Sequence, residues 1–241
     1  MDREELSYHP IGYIKSPYKQ KFAIPRQPNL VPQAIGELEL NKEFADPNTL
    51  REIESFSHLW LLFHFSETAQ QGWNATVQPP RLGGKEKVGV FASRSPFRPN
   101  PIGLSVVENL GVELSAGRSV IKVGGIDVLD GTPVLDIKPY LPYADSLPDA
   151  TAGFAAQRPG RSISVKYSDA ALESLAALKA RYPDLEAFIR SVLQQDPRPA
   201  WRVREDDEKQ YGMSLYDLNI KWRQSEESIS VLSIERLAEE N

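Results

Sequence analysis

Three short segments of this sequence combine arginine, aspartate and proline in patterns that can bind a ligand. The most distinctive is segment 94–101, Arg-Ser-Pro-Phe-Arg-Pro-Asn-Pro, which places two arginines four positions apart among three prolines. Because proline fixes φ, such a loop holds its guanidinium groups in set directions. Arg94 and Arg98 could therefore bind a phosphate, a carboxylate or an adenine ring, or could pair with carboxylates in a purely structural loop.

The second segment, 127–140, carries acidic residues around a tight turn. Asp127 and Asp130 precede Gly131 and the Thr-Pro pair that follows it. Acidic side chains at turns most often accept hydrogen bonds from nearby backbone. The alternative is that the turn holds a ribose or a cationic ligand, and both interpretations stay open from the residues alone. The third segment, 21–28, reads Lys-Phe-Ala-Ile-Pro-Arg-Gln-Pro and again sets an arginine between prolines.

Composition excludes several other chemistries. The chain has no cysteine and three histidines, so disulfides, thiolate metal sites and a cysteine nucleophile are excluded, and a transition-metal site is not expected. No glycine-rich dinucleotide motif, phosphate-binding P-loop motif or serine-hydrolase elbow is present. No apolar run reaches the roughly 20 residues that cross a bilayer. We expect a cytoplasmic protein that binds no membrane.

Charge is concentrated in local clusters. The net charge of −5 argues against non-specific coating of nucleic acid. Two basic clusters nevertheless stand out, one at 15–26 and one at 81–98, whereas acids gather at 205–208 and at the end of the chain. This distribution is typical of a focused anion site, although basic loops are also common on ordinary soluble surfaces.

The elements that must position these loops are mostly short strands. Apolar runs separated by glycine- and proline-rich turns predict strands at Ile11–Ile14, Ala34–Leu40, Leu59–Phe65, Val88–Phe91, Ile102–Val107, Val120–Val123 and Val134–Ile137. A single connecting helix is expected at Thr49–Phe56. Many short strands without long helices favour a barrel or a sandwich over a doubly wound sheet.

The pattern changes after a link rich in Pro, Ala, Ser and Gly at 139–160. A helix capped by Ser168 and a second helix starting near Pro183 are expected, followed by strands at Ser214–Arg223 and Ser228–Ile234. We therefore expect a mainly β N-terminal domain at 1–150 and a small α+β C-terminal domain at 160–241.

The motifs taken together resemble the TsaA-like family, also called the TrmO family. The resemblance covers nearly the whole chain and rests on these runs: Ile11–Tyr18, Phe56–Trp60, Arg81–Gly84, Arg94–Gly103, Asp130–Pro133, Asp136–Tyr140 and Gln195–Ala200. The resemblance implies a single-sheet β-barrel that binds S-adenosylmethionine at a homodimer interface. It also implies methylation of N6 of threonylcarbamoyladenosine at position 37 of threonine transfer RNA.

The resemblance carries over to individual positions. It implies that the cofactor is bound by Pro25, Arg26, Gln27, Ser66, Glu67, Arg94, Leu104, Leu129, Asp130, Gly131, Thr132 and Pro133. Ser66 stands where family members have histidine. In the second domain, Asp196 and Arg198 are the candidate catalytic residues, as general base and as stabiliser of negative charge; the alternative is that Asp196 caps a helix exit and Arg198 contacts phosphate. Basic residues expected to hold the anticodon loop are Lys15, Lys19, Lys21, Arg81 and Lys85.

Two other functions are compatible with the same sequence. One is a non-catalytic barrel that senses the cofactor or a nucleotide. The other is a structural RNA-binding protein, which would keep the basic loops but would not need the Asp130–Pro133 turn.

Overall fold

The computed structural model describes residues 6–83, 86–159, 163–198, 209–225 and 228–237. Within these ranges the chain forms a closed barrel, a four-stranded sheet with two helices, and a two-stranded ribbon. None of the described helices has the length and apolar character needed to cross a membrane.

The barrel consists of six antiparallel strands in the order β1-β2-β7-β6-β3-β8. Closure satisfies the backbone groups that an open sheet would leave at its edges. The strands of the barrel are β1 (Gly12–Lys15), β2 (Ile35–Leu40), β3 (His58–His64), β6 (Ile102–Ser115), β7 (Arg118–Gly124) and β8 (Pro133–Pro139). Strands β4 (Thr76–Val77) and β5 (Val88–Gly89) form the ribbon, and the short helices α1 (Ser66–Ala69) and α2 (Pro142–Asp145) follow β3 and β8.

Alternation of apolar and polar residues explains which face of each strand is buried. In β3, Leu59, Leu61 and Phe63 point inward and are almost fully buried, while the residues between them are partly exposed. Gly103 on β6 faces Phe63, and a Cβ at position 103 would lie 2.2 Å from the phenyl ring. Glycine at this position therefore lets the large ring fill the barrel.

The C-terminal region is an α+β unit. Its sheet has the order β10-β11-β12-β9, with β9 (Ser164–Tyr167) parallel to β12 (Ser228–Arg236) and with β10 (Gln210–Leu215) and β11 (Leu218–Gln224) as a hairpin. The helices are α3 (Asp169–Leu178) and α4 (Leu185–Gln194). Ser168 caps α3 as expected, because its hydroxyl accepts a hydrogen bond from the Ala171 amide. The sequence-based prediction of the fold class is confirmed.

The two regions share one hydrophobic core, and the segment after β1 is a place where they meet. Tyr18, fully buried, lies 5.8 Å from Phe188 of α4, measured between ring centroids. The Tyr216 amide donates to the Pro17 carbonyl at 2.7 Å, and Tyr18 forms a β-bridge with Leu215. The segment after β1 is therefore anchored at once to the barrel and to the C-terminal sheet.

Two local predictions are wrong. The helix expected at Thr49–Phe56 is instead a pair of 3₁₀ turns, Pro47–Leu50 and Ile53–Ser55, because Glu52 between them adopts φ +66°. The strand expected at Ser214–Arg223 is the β10–β11 hairpin, which turns at Tyr216 with φ +56°. In both places a non-glycine residue in the left-handed region breaks a pattern that looks continuous in sequence.

Candidate cofactor site

The turn before β8 is held by its own aspartate. Asp130 accepts a hydrogen bond from the Ser16 amide at 2.8 Å through one carboxylate oxygen and from Lys19 Nζ at 2.6 Å through the other. Gly131, at φ +76°, makes the turn possible, and the Thr132 hydroxyl donates to the Leu129 carbonyl at 2.7 Å. The Asp130 side chain thus locks the turn to the end of β1, and the Asp130 and Gly131 amides add backbone hydrogen bonds to Tyr18 and Ile14.

The proline-rich loop reaches the first basic loop through Arg94. Arg94 Nη1 donates to Gln27 Oε1 at 2.6 Å, joining two segments that lie 67 positions apart in sequence. Arg98, by contrast, turns back on its own loop and donates to the Ser93 carbonyl at 3.3 Å. Of the two arginines that the sequence singles out, Arg94 is exposed and Arg98 braces the loop.

Ser66 and Glu67 lie next to the same loop. His64, at the end of β3, pairs with Ile102, and the Phe65 amide donates to the Pro101 carbonyl at 2.8 Å. Helix α1 therefore begins at the point where the proline-rich loop enters β6. Both side chains are exposed there.

Leu104 provides an apolar surface beside these groups. It lies on β6, its side chain points away from the barrel interior, and it is 51% exposed. Pro25, by contrast, is buried and supports the loop that carries Arg26 and Gln27. The predicted cofactor residues thus divide into exposed groups that can touch a ligand and buried groups that shape the loops.

Asp127, which the sequence analysis weighed together with Asp130 as a turn residue or as part of a ligand-binding turn, makes a side-chain contact with β6. Its carboxylate accepts a hydrogen bond from Ser105 Oγ at 2.6 Å, and Ser105 is a buried residue on β6 next to Leu104. Burial raises the pKa of Asp127 to about 6, although the Ser105 hydrogen bond and the charge of Arg94 oppose this rise. A hydroxyl at an inward position of an otherwise apolar strand is the sequence signal that could have revealed the pair.

The candidate catalytic residues form a buried ion pair. Arg198 Nε and Nη2 contact the two oxygens of Asp196 at 2.8 and 2.9 Å, and both residues are almost fully buried. Asp196 itself adopts φ +52° just beyond α4. Burial lowers the pKa of Arg26, the charge of Arg81 lowers it further, and Asp196 opposes both effects. Arg26 of the first loop is therefore within electrostatic reach of the C-terminal motif.

The basic residues expected to hold RNA differ in how far they are engaged. Lys15 is paired with Glu39 at 2.7 Å, and Lys19 is paired with Asp130. Lys21 lies 5.4 Å from the centre of the Phe22 ring. Arg81 donates to the Gln157 carbonyl. Lys85 lies outside the described residues.

The residues present fit S-adenosylmethionine. A Cβ added at Gly131 would meet no atom within 4 Å, so open space lies above the turn. Exposed Leu104 can cover an apolar or aromatic part of a ligand, and Arg94 with Gln27 can bind polar ends. Within the described ranges, no three Asp, Glu or His side chains are grouped as metal ligands.

Fold and site together define a β-barrel with a loop-built site for a nucleoside cofactor, joined to an α+β domain. Residues 13–146 match the tRNA-methyltransferase O N-terminal domain, and residues 160–237 match the TrmO C-terminal domain. The chain belongs to the TrmO family.

Full-length relatives agree with this assignment. The chain is 49% identical over 230 residues to a tRNA (adenine(37)-N6)-methyltransferase of Escherichia coli K12, covering 95% of this chain and 98% of that one. It is 47% identical to RcsF of Pseudomonas aeruginosa, whose name describes an S-adenosylmethionine-dependent methyltransferase, over 90% of this chain and 91% of that one. A crystal structure of TrmO from P. aeruginosa superposes with a TM-score of 0.79 at 41% identity, covering 98% and 99% of the two chains.

Proposed function

We propose that this chain transfers a methyl group from S-adenosylmethionine to N6 of threonylcarbamoyladenosine at position 37 of threonine tRNA, acting in the cytoplasm as a homodimer. The observation that carries the proposal is the hydrogen bond from Arg94 to Gln27, which brings two of the three loops into one site. The names of relatives support adenine 37 and the cofactor. The threonylcarbamoyl group and the tRNA species are parts of the proposal that go beyond what those names state.

The reaction chiefly requires positioning. When bound, the cofactor supplies an electrophilic methyl group, so in-line alignment with the attacking nitrogen accounts for much of the catalysis. The cofactor side of this alignment is assigned to the turn Leu129–Pro133 and to Arg94, Gln27 and Leu104. Their attachment to a closed barrel limits how far each loop can shift.

On the adenine side, the reaction requires removal of the proton on N6. N6 of the carbamoylated base resembles a urea nitrogen and is a weak nucleophile until its proton leaves. We assign Asp196 and Arg198 to this end of the reaction. Because both Asp196 oxygens contact Arg198, the carboxylate also fixes the direction of the guanidinium. An Arg198→Lys variant, which keeps the charge and loses the planar two-point contact, is expected to lower kcat much more than it changes cofactor affinity.

A second copy of the chain is proposed to complete the site. Leu104 and the neighbouring Ile102, 51% and 41% exposed, form an outward apolar surface on β6 beside the cofactor loops. Covering this surface would remove apolar area from water and close the site against solvent. Ile102→Glu is expected to shift the protein toward monomer in analytical ultracentrifugation and to lower methyl transfer; dimer of unchanged stability would contradict this arrangement.

The RNA backbone is proposed to lie along an open groove near the first basic loop. The groove has a volume of about 430 Å³ and is lined by Arg81, Phe154 and Arg158 among others. Arg158 donates to the Asn29 carbonyl at 3.0 Å, so both guanidinium groups are anchored to backbone. Replacing both arginines by alanine is expected to weaken tRNA binding and to reduce its salt dependence by about two phosphate contacts, with cofactor affinity unchanged.

One assay tests the function as a whole. The protein is incubated with methyl-labelled S-adenosylmethionine and with tRNA that carries or lacks the threonylcarbamoyl group. Label that enters only the modified tRNA supports the proposal. Cofactor binding without transfer would identify a sensor, and RNA binding without cofactor binding would identify a structural RNA-binding protein.

A further inference from the structure

Asp127 and Ser105 form a polar pair that the proposed reaction does not use. Asp127 lies on the link between β7 and β8, flanked by Ile126 and Val128, which are both buried. Its Oδ1 accepts the hydroxyl of Ser105 at 2.6 Å. In sequence the pair is adjacent to two parts of the proposed cofactor site. Ser105 follows Leu104 on β6, with its side chain on the opposite, buried face of the strand, and Asp127 precedes the Leu129–Pro133 turn by two residues.

Asp127 is in no ion pair within the described part of the protein. No Lys, Arg or His among the described residues pairs with it directly, whereas Glu39, Asp130, Asp136 and Asp196 each pair with a lysine or an arginine. The charged or titratable groups that face it are Arg94 from the proline-rich loop and Tyr18 from the segment after β1. The Tyr18 hydroxyl is buried without a hydrogen-bond partner and offers the carboxylate no compensation.

Folding alone does not account for such a group. A largely buried carboxylate without an ion-pair partner costs free energy unless a ligand compensates it. The Ser105 hydroxyl at 2.6 Å and the Asp127 backbone N–H fix the carboxylate in place but do not neutralise it. Perturbed carboxylates of this kind cluster at sites where charge is needed for binding or catalysis.

We infer that Asp127 is a specificity-determining residue of the cofactor site, whose fixed carboxylate complements the sulfonium cation and favours the methyl donor over its uncharged thioether product. The inference rests on the proposed cofactor site. When the methyl group leaves, the sulfur keeps the electron pair of the broken bond and loses its positive charge. A carboxylate near the site therefore attracts the donor more strongly than the product, and the transfer itself removes the attraction that would slow product release.

Ionisation of Asp127 gives the inference a second signature. The pKa of about 6 means that the carboxylate is charged at pH 8 and mostly neutral at pH 5. In the wild-type protein, the ratio of donor affinity to product affinity should therefore fall on acidification. In an Asp127→Asn variant, the part of this pH dependence that comes from Asp127 should be absent.

Isothermal titration calorimetry of the full chain tests the inference with two ligands, S-adenosylmethionine and S-adenosylhomocysteine. At pH 8, Asp127→Asn should weaken binding of the cationic donor roughly tenfold while changing binding of the neutral product about twofold or less. The matched control is Glu113→Gln, which removes one negative charge at the far end of β6, where Glu113 pairs with Lys122. This control should leave both affinities unchanged.

Two further variants keep the test decisive. Asp127→Glu retains the charge and should recover part of the preference for the donor, whereas Ser105→Ala releases the carboxylate and should reduce it. An unchanged donor-to-product ratio in folded Asp127→Asn, judged by circular dichroism, would overturn the inference. If Arg94→Ala also left donor affinity unchanged, the proposed cofactor site itself would be wrong, so the two failures can be told apart.

Discussion

Replacing Asp127 by asparagine should make the protein more stable at neutral and alkaline pH. In the folded chain the pKa of Asp127 rises from 3.8 to about 6, with burial as the main cause. The folded state therefore disfavours the ionised form. The contribution of the Asp127 carboxyl group to the free energy of unfolding is fully present below pH 3.8 and is lost as the pH rises through about 6. Asparagine has nearly the same shape, can still accept the Ser105 hydrogen bond, and never ionises.

The size of the effect follows from the shift. About two pKa units at 1.36 kcal/mol each correspond to about 3 kcal/mol at pH 8. This value is the full change expected in the mutant-minus-wild-type difference from well below pH 3.8 to pH 8, and a series that starts at pH 4 captures most of it. For a chain of 241 residues, 1 kcal/mol corresponds to a shift of about 2–4 °C in Tm, so thermal unfolding can resolve it.

The assay is urea and thermal unfolding of both proteins in the same buffers at half-unit steps from pH 4 to pH 8. A mutant-minus-wild-type difference that stays flat across this range would refute the reasoning, because the carboxylate would then be as well solvated folded as unfolded. Ser105→Ala serves as a second check. Since the Ser105 hydrogen bond lowers the pKa of Asp127, its loss should move the midpoint of the pH dependence upward.

Three further predictions concern the same end of the barrel. Arg94→Ala should abolish detectable cofactor binding in calorimetry while circular dichroism stays native, since Arg94 is exposed; wild-type affinity would contradict its role. Asp130→Ala should lower the free energy of unfolding by about 2 kcal/mol, because the Ser16 amide and the Lys19 ammonium lose their acceptor. Equal stability of mutant and wild type in urea would show that Asp130 does not stabilise the turn. Gly103→Ala should lower it by about 1–3 kcal/mol, because the methyl group meets the Phe63 ring, whereas Gly89→Ala, in open space, should not.

Much of the barrel can be read from the sequence, because strand periodicity is a local property. The alternation Glu37-Leu38-Glu39-Leu40 predicts a strand with one buried face, and β2 confirms it. Local patterns fail where the chain reverses without the usual residues. Tyr216 and Glu52 adopt positive φ although neither is glycine or asparagine, so no turn signal marks either position.

The candidate site likewise has features that the sequence reveals and features that depend on the fold. Motifs single out Arg94 and the Asp130–Pro133 turn, because prolines and glycines reveal stiff loops even in sequence. They do not reveal that Arg94 binds Gln27, since this contact depends on how the barrel brings distant loops together. The motifs also do not distinguish Asp130 from Asp127, although the Asp130 side chain holds the turn and the Asp127 side chain bonds to Ser105 instead.

The contrast between these two aspartates is what connects fold to function. They lie three positions apart in sequence, yet Asp130 has an amide and an ammonium on its oxygens, whereas Asp127 has the Ser105 hydroxyl and its own backbone N–H and is in no ion pair among the described residues. A carboxylate with two partners stabilises the loop and gains nothing further from a cationic ligand. A carboxylate that is held in place but not neutralised leaves the folded protein less stable and gains from such a ligand. Bound S-adenosylmethionine should therefore lower the pKa of Asp127 and shrink the stabilising effect of Asp127→Asn, which unfolding at pH 8 with and without saturating cofactor can measure.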